Sequence, residues 1–302
     1  MSKRLSGRGK NNARECCTKS YRFYLDSNFC ICGFTYWCFF MRRVVAEVEY
    51  LGQYFHGWQK QPNVITIQSE IEKAIFSISD EKIDTHAAGR TDTGVHALGQ
   101  VFHFDINAVR PITAWVKGLN SFLPESIRIK WAKEISQEFH ARHSVVEREY
   151  QYLLHYRSSH SALLSGLAGW TYYQLDNNLI NAACKKFVGE HDFSSFRSSE
   201  CQALSPVRNI SLFQCEFFSN FYLFTIKANG FLHHQIRNMI ATLIVIARKE
   251  KELSYIDELF TKKDRRLAPP TFMPNGLYLT NIKYDDAWKI PQSNNSVNIF
   301  HS

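Results

Sequence analysis

From Met41 onward the chain alternates between stretches of period two and stretches of period 3.6. Residues 44–50 form an apolar strand, and residues 51–58 follow as a polar and aromatic turn. Ile67, Ile71, Ala74, Ile75 and Ile78 fall at i, i+4, i+7, i+8 and i+11, one face of an amphipathic helix with Thr66 as its N-cap. Residues 83–88 and 101–104 are short and apolar or β-tolerant, so both read as strands. Pro111 opens a second helix through about residue 122, and Pro124 closes it. Residues 127–135 read as a strand, 139–142 as a loop and 148–154 as another strand. On that last strand the period of two puts Tyr150, Tyr152 and Leu154 on one face.

The second half repeats this mixture. Asp176 caps a helix whose apolar face includes Leu179, Ala182, Ala183 and Phe187, and residues 217–227 are strongly β-prone. The longest helix is expected over 231–249, with Ile236, Met239, Ile240, Leu243, Ile244 and Ala247 as its core stripe and Arg237 near its start. Strands and helices interleaved with long antiparallel-looking runs predict an α+β fold, with helices over one face of a mixed sheet.

Charge changes this picture less than its total suggests. The net +8 of the 302 residues divides into +5 on residues 1–40 and +3 on the remaining 262, so nucleic-acid binding has to be argued from local clusters. Residues 1–40 also hold five of the eight cysteines and no clear periodicity. The apolar run at 29–40 is too short to span a bilayer. The expectation is that Met41 opens the functional domain and that 1–40 is a non-conforming extension, disordered or a mis-assigned start. Cys184, Cys201 and Cys215 match no metal knuckle or redox pair, which indicates reduced thiols in a cytoplasmic protein. His140 with His143 and the pair His233-His234 lack thiolate or carboxylate companions at metal spacing and are read as solvated or RNA-facing, so no metal is expected. No Gly-rich phosphate loop or dinucleotide fingerprint is present.

Candidate chemistry centres on residues 87–104, where Asp92 sits as a lone carboxylate between two strand-like runs punctuated by Gly89, Gly94 and Gly99. Arg90 is two residues away and can face the same side; a cation within ~4–6 Å lowers a carboxylate's pKa by about 1–3 units. Such an Asp suits nucleophilic or base chemistry. A bare Thr-Asp-Thr-Gly usually caps a turn, and Asp92-Thr93-Gly94 is also the tripeptide of aspartic proteases. That mechanism needs two carboxylates sharing a proton, and this chain carries one copy.

The longer run Gly89-Arg90-Thr91-Asp92-Thr93-Gly94-Val95-His96-Ala97, followed by Gly99-Gln100-Val101 and His103-Phe104, resembles the active-site segment of TruA-type tRNA pseudouridine synthases. Phe55-His56-Gly57-Trp58-Gln59, Phe139-His140-Ala141-Arg142, Arg148-Glu149-Tyr150-Gln151-Tyr152, the run 191–196 and Arg237-Asn238-Met239 resemble that family's further signatures, in its order, from about Met41 to Tyr284. The resemblance implies the pseudouridine synthase fold, two related α/β halves sharing a mixed, largely antiparallel sheet with a central active-site cleft. The halves would be 41–143, carrying the Asp loop, and 144–290, with 291–302 a polar tail. It implies Asp92 as the catalytic residue, Tyr150 against the target base and Arg237 as the ion-pair partner of Asp92. Arg90 and Arg110 would act in base flipping. Phe139, His140, Ala141, Arg142 and His143, with Glu200, Cys201, Gln202, Ala203 and Leu204, would contact tRNA. It further implies a homodimer, no cofactor, and tRNA positions 38–40 in the anticodon stem-loop as targets. Two departures, Leu51 where an Asp is common and Gln235-Ile236 where Met-Val is common, bear on packing and RNA contact.

Arg110, Arg142, Arg148 and Arg157, then Lys185-Lys186, and Lys262-Lys263 with Arg265-Arg266, are the local basic groups able to meet phosphates. Within the reaction, an ionised Asp92 could attack the ribose C1′, deprotonate C2′, or attack C6 of the base. A non-catalytic tRNA-binding module on the same scaffold is the rival reading.

Overall fold

The computed structural model describes residues 41–297; the expectations for 1–40 and for 298–302 lie outside the described residues. The chain runs β1 (Arg42–Tyr50), α1 (Ile67–Ser79), β2 (His86–Ala87), β3 (His96–Ile106), α2 (Lys117–Phe122), β4 (Ile127–Ile135), β5 (Val145–Tyr156) and β6 (Gly169–Thr171). It continues through α3 (Asn177–Lys186), β7 (Gly189–Asp192), β8 (Val207–Phe218), β9 (Phe221–Ala228), α4 (Gln235–Ala247), α5 (Tyr255–Lys262) and β10 (Leu277–Tyr284).

Among the described residues, all ten strands enter one sheet in the order β4-β1-β3-β10-β5-β9-β8-β7, with β2 added to β3 and β6 to β5. Pairing is antiparallel except at β5–β6 and at the β3–β10 seam, where Tyr278 faces His96 and Leu279 faces Ala97. The fold is therefore α+β on a mixed, largely antiparallel sheet, as expected. Among the described residues the last strand in sequence, β10, lies in the middle of the sheet and joins β3 to β5.

Period-two patterning assigns the faces. Val44, Ala46, Val48 and Tyr50 of β1, Tyr150, Tyr152 and Leu154 of β5, and Tyr222, Phe224 and Ile226 of β9 enter the main core, which also receives buried residues from all five helices. The intervening Val45 and the intervening Leu153 and Leu223 enter two smaller clusters closed by loop and tail residues such as Phe139, Ile290, Leu164 and Val297. Both helix caps predicted from sequence form: Thr66 and Ser69 cap α1 reciprocally, and Asp176 accepts from the backbone N–H groups of Asn178 and Leu179.

Several boundaries differ from the sequence reading. After Pro111 comes a 3-10 turn (Ile112–Trp115), and α2 begins only at Lys117, because Trp115 is drawn edge-on onto Phe104 in the core. The buried stripe of α3 is Ile180, Ala183 and Cys184, leading to Phe187; Leu179 and Ala182 are half-buried. The β-prone run 217–227 is a hairpin whose Ser219 and Asn220 adopt φ of 45° and 68°, the twist a two-residue turn requires. Helix α4 starts at Gln235, four residues late, since His234 takes φ of 63° and Gln235 Oε1 accepts from the Leu232 N–H to cap the preceding turn.

Candidate active site

Asp92 lies in the loop between β2 and β3, and that loop is held from several sides. Trp58 N–H donates to the Thr91 carbonyl at 3.1 Å, and Tyr50 and Thr91 share a buried hydroxyl contact of 2.8 Å. Gln100 grips Gly89 through both its amide atoms, accepting from the N–H and donating to the carbonyl. Gly57 makes the close approach possible: it has φ of 79°, and a Cβ there would stand 2.6 Å from the Thr91 carbonyl oxygen.

The groups that face the Asp92 carboxylate all come from the second half of the chain. Arg237 Nη1 donates to Oδ2 at 3.4 Å, His234 Nε2 is 3.5 Å from Oδ2, and His233 Nε2 is 3.4 Å from Oδ1. Arg237 is itself oriented by Nε donating to the Phe272 carbonyl at 2.8 Å. Burial alone would push the Asp92 pKa up, but the His233 hydrogen bond and the charges of His234, His233 and Arg237 outweigh it and hold the carboxyl below its ordinary range. The carboxylate is ionised at neutral pH. His233 is raised by its hydrogen bond to Asp92, against burial, whereas burial lowers His234 in spite of the same carboxylate.

Arg90 is not the cation the sequence suggested. It is exposed on the cleft wall and, among the described residues, forms no ion pair with Asp92. Arg237 is the cation there, and His233 and His234, expected to be solvated, share the same carboxylate with it. A signal was available, since His233 and His234 stand four and three residues before Arg237, in the segment that leads into α4.

Tyr150 is buried in the wall, with Phe231 packed edge-on at 5.2 Å. Burial pushes its phenol up, Arg148 opposes and Asp92 adds to it, so the hydroxyl stays protonated. Tyr152 on the same face is core, its hydroxyl donating to the Met273 carbonyl.

A cleft of about 1690 Å³ opens over this centre, with room for an extruded nucleotide. His140, Arg142 and His143 line it, as do Glu200, Cys201, Gln202 and Ala203; Leu204 is fully exposed beside them. Phe139 and Ala141 do not reach it. Both are fully buried in a core cluster with Tyr284, and a side chain without exposure cannot touch RNA. Arg110 lies outside the cleft, donating to the carbonyls of Ile78 and Val109.

Several of the other basic groups are engaged within the chain. Arg148 is spent on the carbonyls of Ala88, Asn229 and Arg142. Lys186, Lys263 and Arg266 pair with Asp257, Asp192 and Asp264, and Arg265 binds Asn238 and Thr271. Asp92, His233 and His234 bring three donor atoms within 4.8 Å of one another. The Arg237 guanidinium on the same carboxylate repels a further cation, so the set suits the protein's own positive charge better than a metal ion.

The family profile described as tRNA pseudouridine synthase matches residues 46–144 and 183–285. Among curated proteins, the tRNA pseudouridine synthase A of Nitrosomonas eutropha is 44% identical over 252 residues, 83% of this chain and 91% of that protein. The proteins of the same name from Methylobacillus flagellatus and Paraburkholderia xenovorans are 44% and 43% identical, over 85% and 83% of this chain and 98% and 93% of theirs.

Proposed function

Given that the chain belongs to the tRNA pseudouridine synthase family of isomerases, we propose that it converts uridine to pseudouridine at positions 38–40 of the tRNA anticodon stem-loop, with Asp92 as the nucleophile or base. The observation that carries this reading is an ionised carboxylate, held by Arg237 and two imidazoles, at the floor of a cleft with room for a nucleotide.

The chemistry asks little else of the protein. Isomerisation breaks the glycosidic C–N bond, turns the uracil and rejoins it through C5, with no net redox change and no outside group, so it requires no cofactor. A stacked uridine must first be extruded, at a cost of a few kcal/mol. Arg90 on the cleft wall is suited to hold the extruded strand. Tyr150 and Phe231 offer an aromatic wall for the base, and the enclosing cleft retains free uracil until it re-adds. Arg142, His143 and the 200–204 segment supply tRNA contacts around the opening. A homodimer would extend that surface over a second copy. Among the described residues, Cys184, Cys201 and Cys215 are free, which suits the reducing cytoplasm, and no helix there is long and apolar enough to cross a membrane.

The groups acting on Asp92 are a guanidinium and imidazoles, with no second carboxylate among them, which speaks against an aspartic-type hydrolase. The test is to incubate the protein with unmodified tRNA and map pseudouridine by carbodiimide adducts that stop reverse transcription. Stops confined to the anticodon arm, absent with Asp92→Asn although tRNA binding stays within a fewfold, are expected. A variant Asp92→Asn that still forms pseudouridine removes Asp92 from the chemistry; binding without stops from the unaltered protein favours a non-catalytic tRNA-binding module.

A further inference from the structure

The two oxygens of Asp92 are held unequally. Oδ2 has two neighbours, Arg237 Nη1 at 3.4 Å and His234 Nε2 at 3.5 Å, whereas Oδ1 has a single ion-pair partner among the described residues, His233 Nε2 at 3.4 Å. The terminal torsion of an aspartate is broad, so a carboxylate gripped at one oxygen swings about its Cβ–Cγ bond. Holding both oxygens removes that freedom.

His233 is well placed to be the second grip. Its carbonyl accepts from Ser198 N–H at 2.9 Å, which ties the segment between β9 and α4 to the segment carrying Glu200. Its ring packs against His234 with centroids 4.0 Å apart, and the side chain is about one-third exposed, on the cleft. The charged and titratable groups that face it are Asp92 from the β2–β3 loop, Glu200 from the 198–203 segment, and His234 and Arg237 from the start of α4. The two carboxylates favour its protonated form and Arg237 opposes it.

We propose that His233 is a positioning residue for Asp92, its imidazolium holding Oδ1 while Arg237 holds Oδ2, so that the carboxylate meets the target nucleotide in one orientation. This rests on the reading of Asp92 as the reacting group. Sub-ångström misplacement of a reacting atom slows chemistry without changing how the rest of a large substrate binds. The loss is therefore expected in kcat and not in KM.

Protonation gives the role a signature. The pKa of His233 is raised above its ordinary value, so the imidazolium persists through acidic pH and is lost as pH rises through the folded value. Turnover by the unaltered protein should then decline on the alkaline side. Glutamine places an amide N–H at the reach of Nε2 and does not titrate.

The experiment is single-turnover pseudouridine formation on full-length tRNA across pH 5.5–9, with tRNA affinity measured in parallel, for the unaltered protein, His233→Ala, His233→Gln and Asp92→Asn. His233→Ala is expected to lose on the order of a hundredfold in rate with affinity within about twofold. His233→Gln should recover most of that rate and lack the alkaline decline. Should His233→Ala not fold, the shape of the His233→Gln profile decides alone. Full rate in His233→Ala, or an alkaline decline that persists in His233→Gln, overturns the proposal. Activity in Asp92→Asn would instead overturn the assignment of Asp92 on which it rests.

Discussion

Arg237 Nη1 meets Asp92 Oδ2 at 3.4 Å across 145 residues of chain. The pair links the β2–β3 loop to the first turn of α4, and its arginine is aimed by the Phe272 carbonyl. Replacing Arg237 by Met removes one of the charges that depress Asp92, so the carboxylate should protonate at a higher pH. The acid limb of the pH–rate profile is expected to move upward, with kcat/KM down on the order of a hundredfold. Arg237→Lys keeps the charge but not the fork geometry, and should restore the limb better than the rate. An unmoved acid limb in Arg237→Met would separate Arg237 from the titration of Asp92.

Arg142 is the exposed arginine of the 139–143 loop and lines the cleft. Arg142→Ala should weaken tRNA binding and make the dependence of log K on log salt shallower by about one. Filter binding at several salt concentrations reads both. Unchanged affinity and slope would take Arg142 off the RNA surface.

Gly57 lets the Asp92 loop sit against the 55–58 turn. Gly57→Ala introduces a Cβ 2.6 Å from the Thr91 carbonyl oxygen at a residue whose φ is 79°. The expected cost is about 1–3 kcal/mol in denaturant unfolding, together with a fall in kcat as Asp92 shifts. Unfolding free energy and turnover equal to those of the unaltered protein would show that the loop accommodates the methyl group.

His103 accepts the Ala141 N–H on its Nδ1 and is buried among His86, His140, Arg43 and Asp105. Burial first, then Arg43 and the imidazoles of His140 and His86, push its pKa down to about 3, with Asp105 opposing. Unfolded histidine titrates near ~6.5. Below that pH the unfolded chain takes up a proton that the folded chain refuses, so this residue's contribution to stability is lost as pH falls from about 6.5 towards 3. Urea unfolding at pH 7.5 and pH 5 should show a smaller drop for His103→Asn, which keeps an acceptor near Nδ1 and does not titrate. An equal drop in both proteins would assign the acid sensitivity elsewhere.

The caps of α1 and α3, the strand faces of β1 and β5, and the Gly-punctuated loop around Asp92 were legible because each depends on residues a few positions apart. Helix caps answer to side chains within four residues, and a strand's buried face to its period of two. Phe139 shows where that stops: its run looks like an RNA-binding loop, yet its ring packs on Tyr284 and Trp288, which arrive 145 and more residues later. The run 191–196 likewise depends on a distant element: Phe193 and Phe196 pack with Phe260, and Ser195 donates to the Leu259 carbonyl, so that signature anchors α5. Lys186 and Lys263 read as free charge because their acidic partners, Asp257 and Asp192, are far away in sequence.

By itself, then, the sequence determined the family, the α+β class, the loop that carries the Asp92 carboxylate and the arginine that faces it, all of which are carried by local pattern or by residue identity. Tertiary structure alone decided that His233 and His234 join Arg237 at Asp92, which residues of the 139–143 loop face the cleft, and that β10 closes the sheet at its centre. Those outcomes depend on distances between segments a hundred or more residues apart. Burial and charge act through space, and a one-dimensional pattern carries no record of which distant side chains will share it.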